Sequence, residues 1–139
     1  MERNFVKHGL VLIFLSLLTG LIIPATEAPR LALSAHTIAM MGGVLLLALS
    51  AVWNRLVLSK GQEALPYWRW IYTSYASWAA ILFGAVAGTG RMTPLASRGV
   101  EAHDFAEMFV AFFLISLSAS ALFAAGLSIW GLARGKGGP

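Results

Sequence analysis

Four stretches of this chain are apolar for longer than a typical soluble helix requires, and polar residues fall between them in short bursts. The runs cover about residues 5–23, 31–53, 68–88 and 105–133. Each is close to the roughly 20 helical residues that cross a hydrocarbon core of about 30 Å. No run alternates with a period of two, which counts against a β-barrel. The pattern predicts an all-α fold, an integral membrane four-helix bundle, with residues 1–139 forming one domain. Pro24 ends the first run and Pro29 opens the second, so a short connection makes those two helices antiparallel neighbours. In the link NRLVLSKGQEALPYWRW, Gly61 and Pro66 read as breakers ahead of the third helix. Tyr67, Trp68 and Trp70, with Trp53 and Trp130, read as an interfacial aromatic belt.

Composition agrees with the pattern. Hydrophobic residues make up 58% of the chain and charged ones 12%, with a mean hydropathy of +0.76, far from the profile of soluble domains. The charge distribution then suggests an orientation. Arg3, Lys7, Arg55, Lys60, Arg69, Arg134 and Lys136 lie at one end of the helices, whereas Arg30, Arg91 and Arg98 at the other are offset by Glu27, Glu101, Asp104 and Glu107. The positive-inside rule places both termini in the cytoplasm, as in a multi-pass protein of a bacterial-type inner membrane. The net charge of +4 is accounted for by these loops and does not call for nucleic acid as a partner. The first run lacks a small-x-small cleavage site, so it reads as a helix rather than a removed signal peptide. There is no cysteine, which excludes thiol chemistry, disulfides, iron–sulfur clusters and thiolate-ligated haem.

Candidate chemistry is sparse. His36 lies inside the second run, with Met40 and Gly43 on the same helical face at i+4 and i+7. Counting about 1.5 Å per residue from each helix end brings Met40 and Gly43 to the depths of Trp78 and Tyr75 in the third helix. Tyr75, Ser77 and Trp78 therefore form an aromatic and polar wall opposite a nitrogen ligand, a thioether and a glycine floor, a setting for haem and a small aromatic molecule. A simpler role for His36 is a hydrogen bond to a carbonyl of a neighbouring helix. His8 reads as a snorkelling interfacial residue and Glu107 as a favourable charge at a helix N-terminus, near enough to the depth of His36 to be also a candidate support for it. Arg91 or Arg98 is placed to pair with an anionic group such as a haem propionate. Gly84 and Gly88, and Ser116, Ser120 and Ala124, are small residues suited to close helix contacts.

Three strings carry a family resemblance: LLTGLIIPATEAPRLALSAH, YTSYASWAAILFGAVAGTGRMTPLA and FFLISLSASALFAAGLSIWGLARG. Together, in order and over nearly the whole chain, they resemble hydroxylaminobenzene mutase. KHGLVLIFLSLLTG and SAH with the following glycine pair more distantly resemble styrene oxide isomerase. The resemblance implies an isomerase that converts an aryl hydroxylamine to the 2-aminophenol. It further implies a homotrimer with ferric haem b at subunit interfaces, bound through His36 and acting as a Lewis acid. Met40, Gly43 and Arg91 are then cofactor contacts, and Tyr75, Ser77 and Trp78 line the substrate. Two alternatives remain: an epoxide-to-aldehyde isomerase, and a non-catalytic membrane haem protein. The family patterns favour asparagine where this chain has Gly42 and Ser77, and a tyrosine where residues 81–84 offer none.

Overall fold

The computed structural model describes residues 1–97 and 102–134. Helix α1 spans Glu2–Ile22 and tightens into a 3-10 turn, Ile23–Ala25. Helix α2 spans Pro29–Val52, α3 Lys60–Ala87, the single turn α4 Pro94–Ser97, and α5 Asp104–Arg134. Pro29 at the first position of α2 costs nothing, because its missing N–H would have had no partner inside the helix.

All four long helices are long and apolar enough to cross a membrane. Their outward faces support that reading: Leu21 on α1 is 78% exposed and Leu122 on α5 is 75% exposed, positions that in water would form aggregation-prone patches.

The third helix begins eight residues earlier than the pattern predicts, and Pro66 lies within it. Local capping explains this. The Ser59 side chain accepts from the first turn, while the Ser59 N–H donates to Gln62 Oε1 at 3.2 Å, a reciprocal capping box that starts the helix upstream of the proline. At its other end α3 stops at Gly88, which adopts the left-handed conformation (φ 70°). Gly88 is therefore a helix cap, and the contact expected of the Gly84/Gly88 pair falls to Gly84 alone, against Thr89, Leu31 and Val110.

The helices pack in chain order, α1 on α2, α2 on α3 and α3 on α5, so the start of α1 and the end of α5 lie at one end of the bundle, here the near end. The α1–α2 crossing is a glycine contact. A Cβ on Gly9 would sit 2.8 Å from the Gly43 carbonyl, and one on Gly43 would sit 2.7 Å from the Gly9 carbonyl. Backbone meets backbone there, the closest approach two helices can make. At the near end Phe5, Trp53 and Tyr67 form an aromatic core with ring centroids 4.7 Å apart for Phe5–Trp53 and for Phe5–Tyr67. Trp53 is thus a core residue, 5% exposed, because Phe5 and Tyr67 flank it from the adjoining helices. Trp68 and Trp130 are exposed, as membrane anchors should be.

Candidate active site

His36 is half-buried on the flank of α2 that faces α1. Its Nδ1 lies 2.7 Å from the Ser16 carbonyl, so Nδ1 must carry the hydrogen and donate. Ser16 Oγ in turn donates to the His36 carbonyl at 2.7 Å. Gly20 leaves space for the ring: a Cβ there would be 3.2 Å from Nδ1. The carbonyl bond expected as the simpler role of this histidine therefore exists, and it does not compete with ligation. It fixes the tautomer and leaves Nε2 with its lone pair free, the arrangement by which a backbone carbonyl orients a metal-binding imidazole.

Helix α1 supplies contacts that the sequence reading assigned to no site. Trp78 Nε1 donates to Thr19 Oγ1 at 3.0 Å. Since Ser16 and Thr19 are one turn apart, His36 and Trp78 are anchored at one level from two different helices. Eight residues back along α1, about 12 Å, lies a second level. There the Tyr75 hydroxyl is 3.1 Å from His8 Nδ1, with the rings edge to face at 5.7 Å. Gly43 packs at this level too, on Gly9 and Ile13. The single layer expected of Met40, Gly43, Trp78 and Tyr75 is thus split in two, Trp78 at the level of His36 and Tyr75 at that of Gly43, both joined through α1. His8 has a partner inside the bundle, where a snorkelling role was expected. Ser16, Thr19 and Gly20 are small or polar at i, i+3 and i+4 in an otherwise bulky apolar run, and that spacing was the available signal.

Ser77 is turned onto its own helix: Oγ donates to the Thr73 carbonyl at 2.7 Å and lies 3.2 Å from that of Ser74. Met40 is half-buried. Gly42 faces α3, where a Cβ would meet Ser74 Cβ at 3.4 Å, so the position is a helix contact. Arg91 lies at the far end, its Nη2 2.9 Å from Asp104 Oδ1, both side chains largely exposed. Arg98 and Glu101 lie outside the described residues. Glu107, expected as a favourable charge at the start of α5 or as a support near the depth of His36, accepts three backbone N–H groups, from Gly90 at 2.7 Å, Arg91 at 3.0 Å and Ala102 at 3.1 Å.

A groove of about 500 Å³ runs between α3 and α5, lined by Gly61, Trp68, Arg69, Tyr72 and Ser120 among others. Trp68 and Tyr72 lie about half a turn round α3 from Ser74 and Ile81, which face α2, so this groove opens away from His36. The small residues of α5 serve the α3 contact from this side: Tyr72 bonds Ser116 at 2.8 Å, while Ser120 and Ala124 are buried.

Among the described residues no three His, Cys, Asp or Glu side chains converge on a metal-sized space. A haem brings its own equatorial ligands and asks the protein for an axial donor. His36, with Nδ1 committed and Nε2 free, fits that requirement.

A family model described as styrene oxide isomerase matches residues 1–133. Hydroxylaminobenzene mutase HabB of Ectopseudomonas oleovorans is 38% identical over 133 residues, 95% of this chain and 81% of the relative. Hydroxylaminobenzene mutase HabA of the same organism is 33% identical over 126 residues, 90% of this chain and 93% of the relative. No solved structure matches the chain.

Proposed function

The chain belongs to the styrene oxide isomerase family and is an isomerase, and from that premise we propose that it is a membrane mutase converting aryl hydroxylamines to 2-aminophenols. The substrate class is taken from the two relatives named as hydroxylaminobenzene mutases. The structural observation that carries the reading is the His36–Ser16 carbonyl bond, which prepares Nε2 as a ligand. His36 would hold a haem b, and a ferric haem bound there supplies Lewis acidity toward a hydroxyl oxygen.

The chain's own residues do the rest. The Ser16 carbonyl holds the imidazole in one tautomer and one orientation, and Gly20 makes room for it. Thr19 fixes the Trp78 indole through Nε1, leaving its face to stabilise positive charge that develops on an aryl ring as the N–O bond weakens. Tyr75, held by His8, closes the layer beneath. Ala35, Ile38 and Ile81 exclude water from the apolar side of the same layer, which keeps an electrophilic ring from being captured by solvent.

The half-buried position of His36 in a single chain supports a group bound at the boundary with a second copy, and we carry the homotrimer over from the family resemblance. Met40, Gly43, Ser77 and Arg91 are kept as proposed contacts of cofactor or substrate. The basic near end is proposed to face the cytoplasm of an inner membrane.

An absorption spectrum of the purified protein tests the cofactor, with a Soret band present in the wild type and lost in His36→Ala. Incubation with phenylhydroxylamine should give 2-aminophenol, also lost in His36→Ala. Phenylacetaldehyde from styrene oxide, with no 2-aminophenol, would replace this reading by the epoxide isomerase. A Soret band with neither product would leave a non-catalytic haem protein.

A further inference from the structure

Among the described residues Glu107 is the only carboxylate or basic group that is fully enclosed, at 2% exposure. An enclosed carboxylate is costly unless its oxygens are well hydrogen-bonded. Here Oε1 accepts from Gly90 at 2.7 Å and Ala102 at 3.1 Å, and Oε2 accepts from Arg91 at 3.0 Å. The donors come from both ends of the α3–α5 connection, so one side chain ties the start and the end of that connection to the first turn of α5.

What it ties down covers the proposed site. From Gly90 the chain runs into α4, and Ala96 packs on the cluster of Leu31, Ala35, Ile81 and Ala85 at the far end of the α2–α3 seam. Trp78 and Ile38 pack against the same cluster, and Ala35 immediately precedes His36. The strap of residues 88–97 therefore covers, through Ala96, the far end of the cluster against which Trp78 also packs.

We propose that Glu107 is a positioning residue for product specificity: by holding this strap closed it keeps water from the reacting aryl ring. The inference rests on the mutase reading above. In that reaction the N–O bond breaks with its electron pair leaving on oxygen. Return of the same oxygen to the ortho carbon, followed by movement of the ring proton to nitrogen, gives the 2-aminophenol with no solvent oxygen. If water enters, the original oxygen takes up a proton and leaves as water. A solvent oxygen then bonds to the ring, chiefly at the para carbon, and a proton returns to solvent, so the product is still an aminophenol but carries solvent oxygen. Glu107→Gln replaces one acceptor oxygen by an NH2 that faces backbone donors, and removes the charge that strengthens the remaining bonds.

Two measurements test this. The chain has no cysteine, so Ile38→Cys introduces a single reporter beneath the strap. Its reaction with a water-soluble maleimide should be slow with Glu107 intact and about tenfold faster with Glu107→Gln, the change expected from losing one charge-assisted hydrogen bond. In 18O-labelled water the wild type should yield unlabelled 2-aminophenol, and Glu107→Gln should give aminophenol that carries label, with 4-aminophenol appearing.

A slower variant with unchanged labelling in both measurements would show that Glu107 serves folding alone and would overturn the proposal. Should Glu107→Gln not fold, Glu107→Asp, which retracts the oxygens by about 1.5 Å, must change both readouts in the same direction, and unchanged readouts overturn the proposal equally. A wild type that forms no 2-aminophenol defeats the mutase reading instead, while the maleimide rates still decide whether Glu107 holds the strap.

Discussion

The α1–α2 and α3–α5 interfaces are both made by antiparallel apolar helices, yet they are built on different principles. Helices α1 and α2 meet through backbone at Gly9 and Gly43, and reciprocal bonds between Ser16 and His36 sit on the same seam. Helices α3 and α5 meet through side chains: Trp70 Nε1 donates to Ser128 at 3.2 Å, Tyr72 bonds Ser116, and the Arg69 guanidinium lies 4.7 Å from the Phe123 ring centroid. The first interface has no slack, and the second leaves an open groove beside it. In a membrane no hydrophobic effect drives helices together, so close packing and polar pairs must do so. This chain combines backbone contact and polar pairs on the seam that carries His36, and uses side-chain pairs alone on the other.

Substitutions can break this contrast. The largest effect is expected at Gly43, where alanine would place Cβ 2.7 Å from both the Gly9 carbonyl and Ile13 Cγ1; a loss of about 3 kcal/mol or outright misfolding should appear in detergent unfolding curves. Gly43→Ala unfolding like the wild type would mean that the two backbones can part cheaply.

Next, Gly20→Ala presses on the His36 ring without touching backbone. It should weaken ferric haem binding about tenfold in an absorbance titration, the scale on which partners that orient a ligand act, while stability changes little. At the other interface Trp70→Phe removes one hydrogen bond and should cost about 1 kcal/mol in the same unfolding assay. Ser128 keeps its bond to the Ala124 carbonyl, so no group is stranded. Smallest and opposite in sign, Gly61→Ala should stabilise by up to about 1 kcal/mol, since nothing lies within 4 Å of the added methyl. The same glycine-to-alanine change would then have opposite signs at the two interfaces, and equal signs would dissolve the distinction between them.

The spans of the helices were legible because a membrane-length apolar run has few other ways to satisfy its backbone. The start of α3 was not, because a capping box at Ser59 and Gln62 outweighed the breaker reading of Pro66. The histidine was legible as an oddity, an ionisable group inside a run of apolar ones. Its partner was not, since spacing along α2 shows which residues share a face but not which helix that face meets. The same limit hid the three backbone donors of Glu107, two of which lie 16 and 17 residues away in the chain.

The chain's pattern alone therefore determines four apolar helices, a charge asymmetry between their ends, and a single histidine within the second. Only the tertiary structure decides that α1 reaches across to both His36 and Trp78, that Nδ1 is committed and Nε2 free, and that Glu107 ties the far-end strap. The physical reason is range. Backbone hydrogen bonding and burial in lipid are imposed residue by residue, whereas a tautomer or a buried carboxylate is set by groups that only the packing of separate helices brings within 3 Å or so of each other.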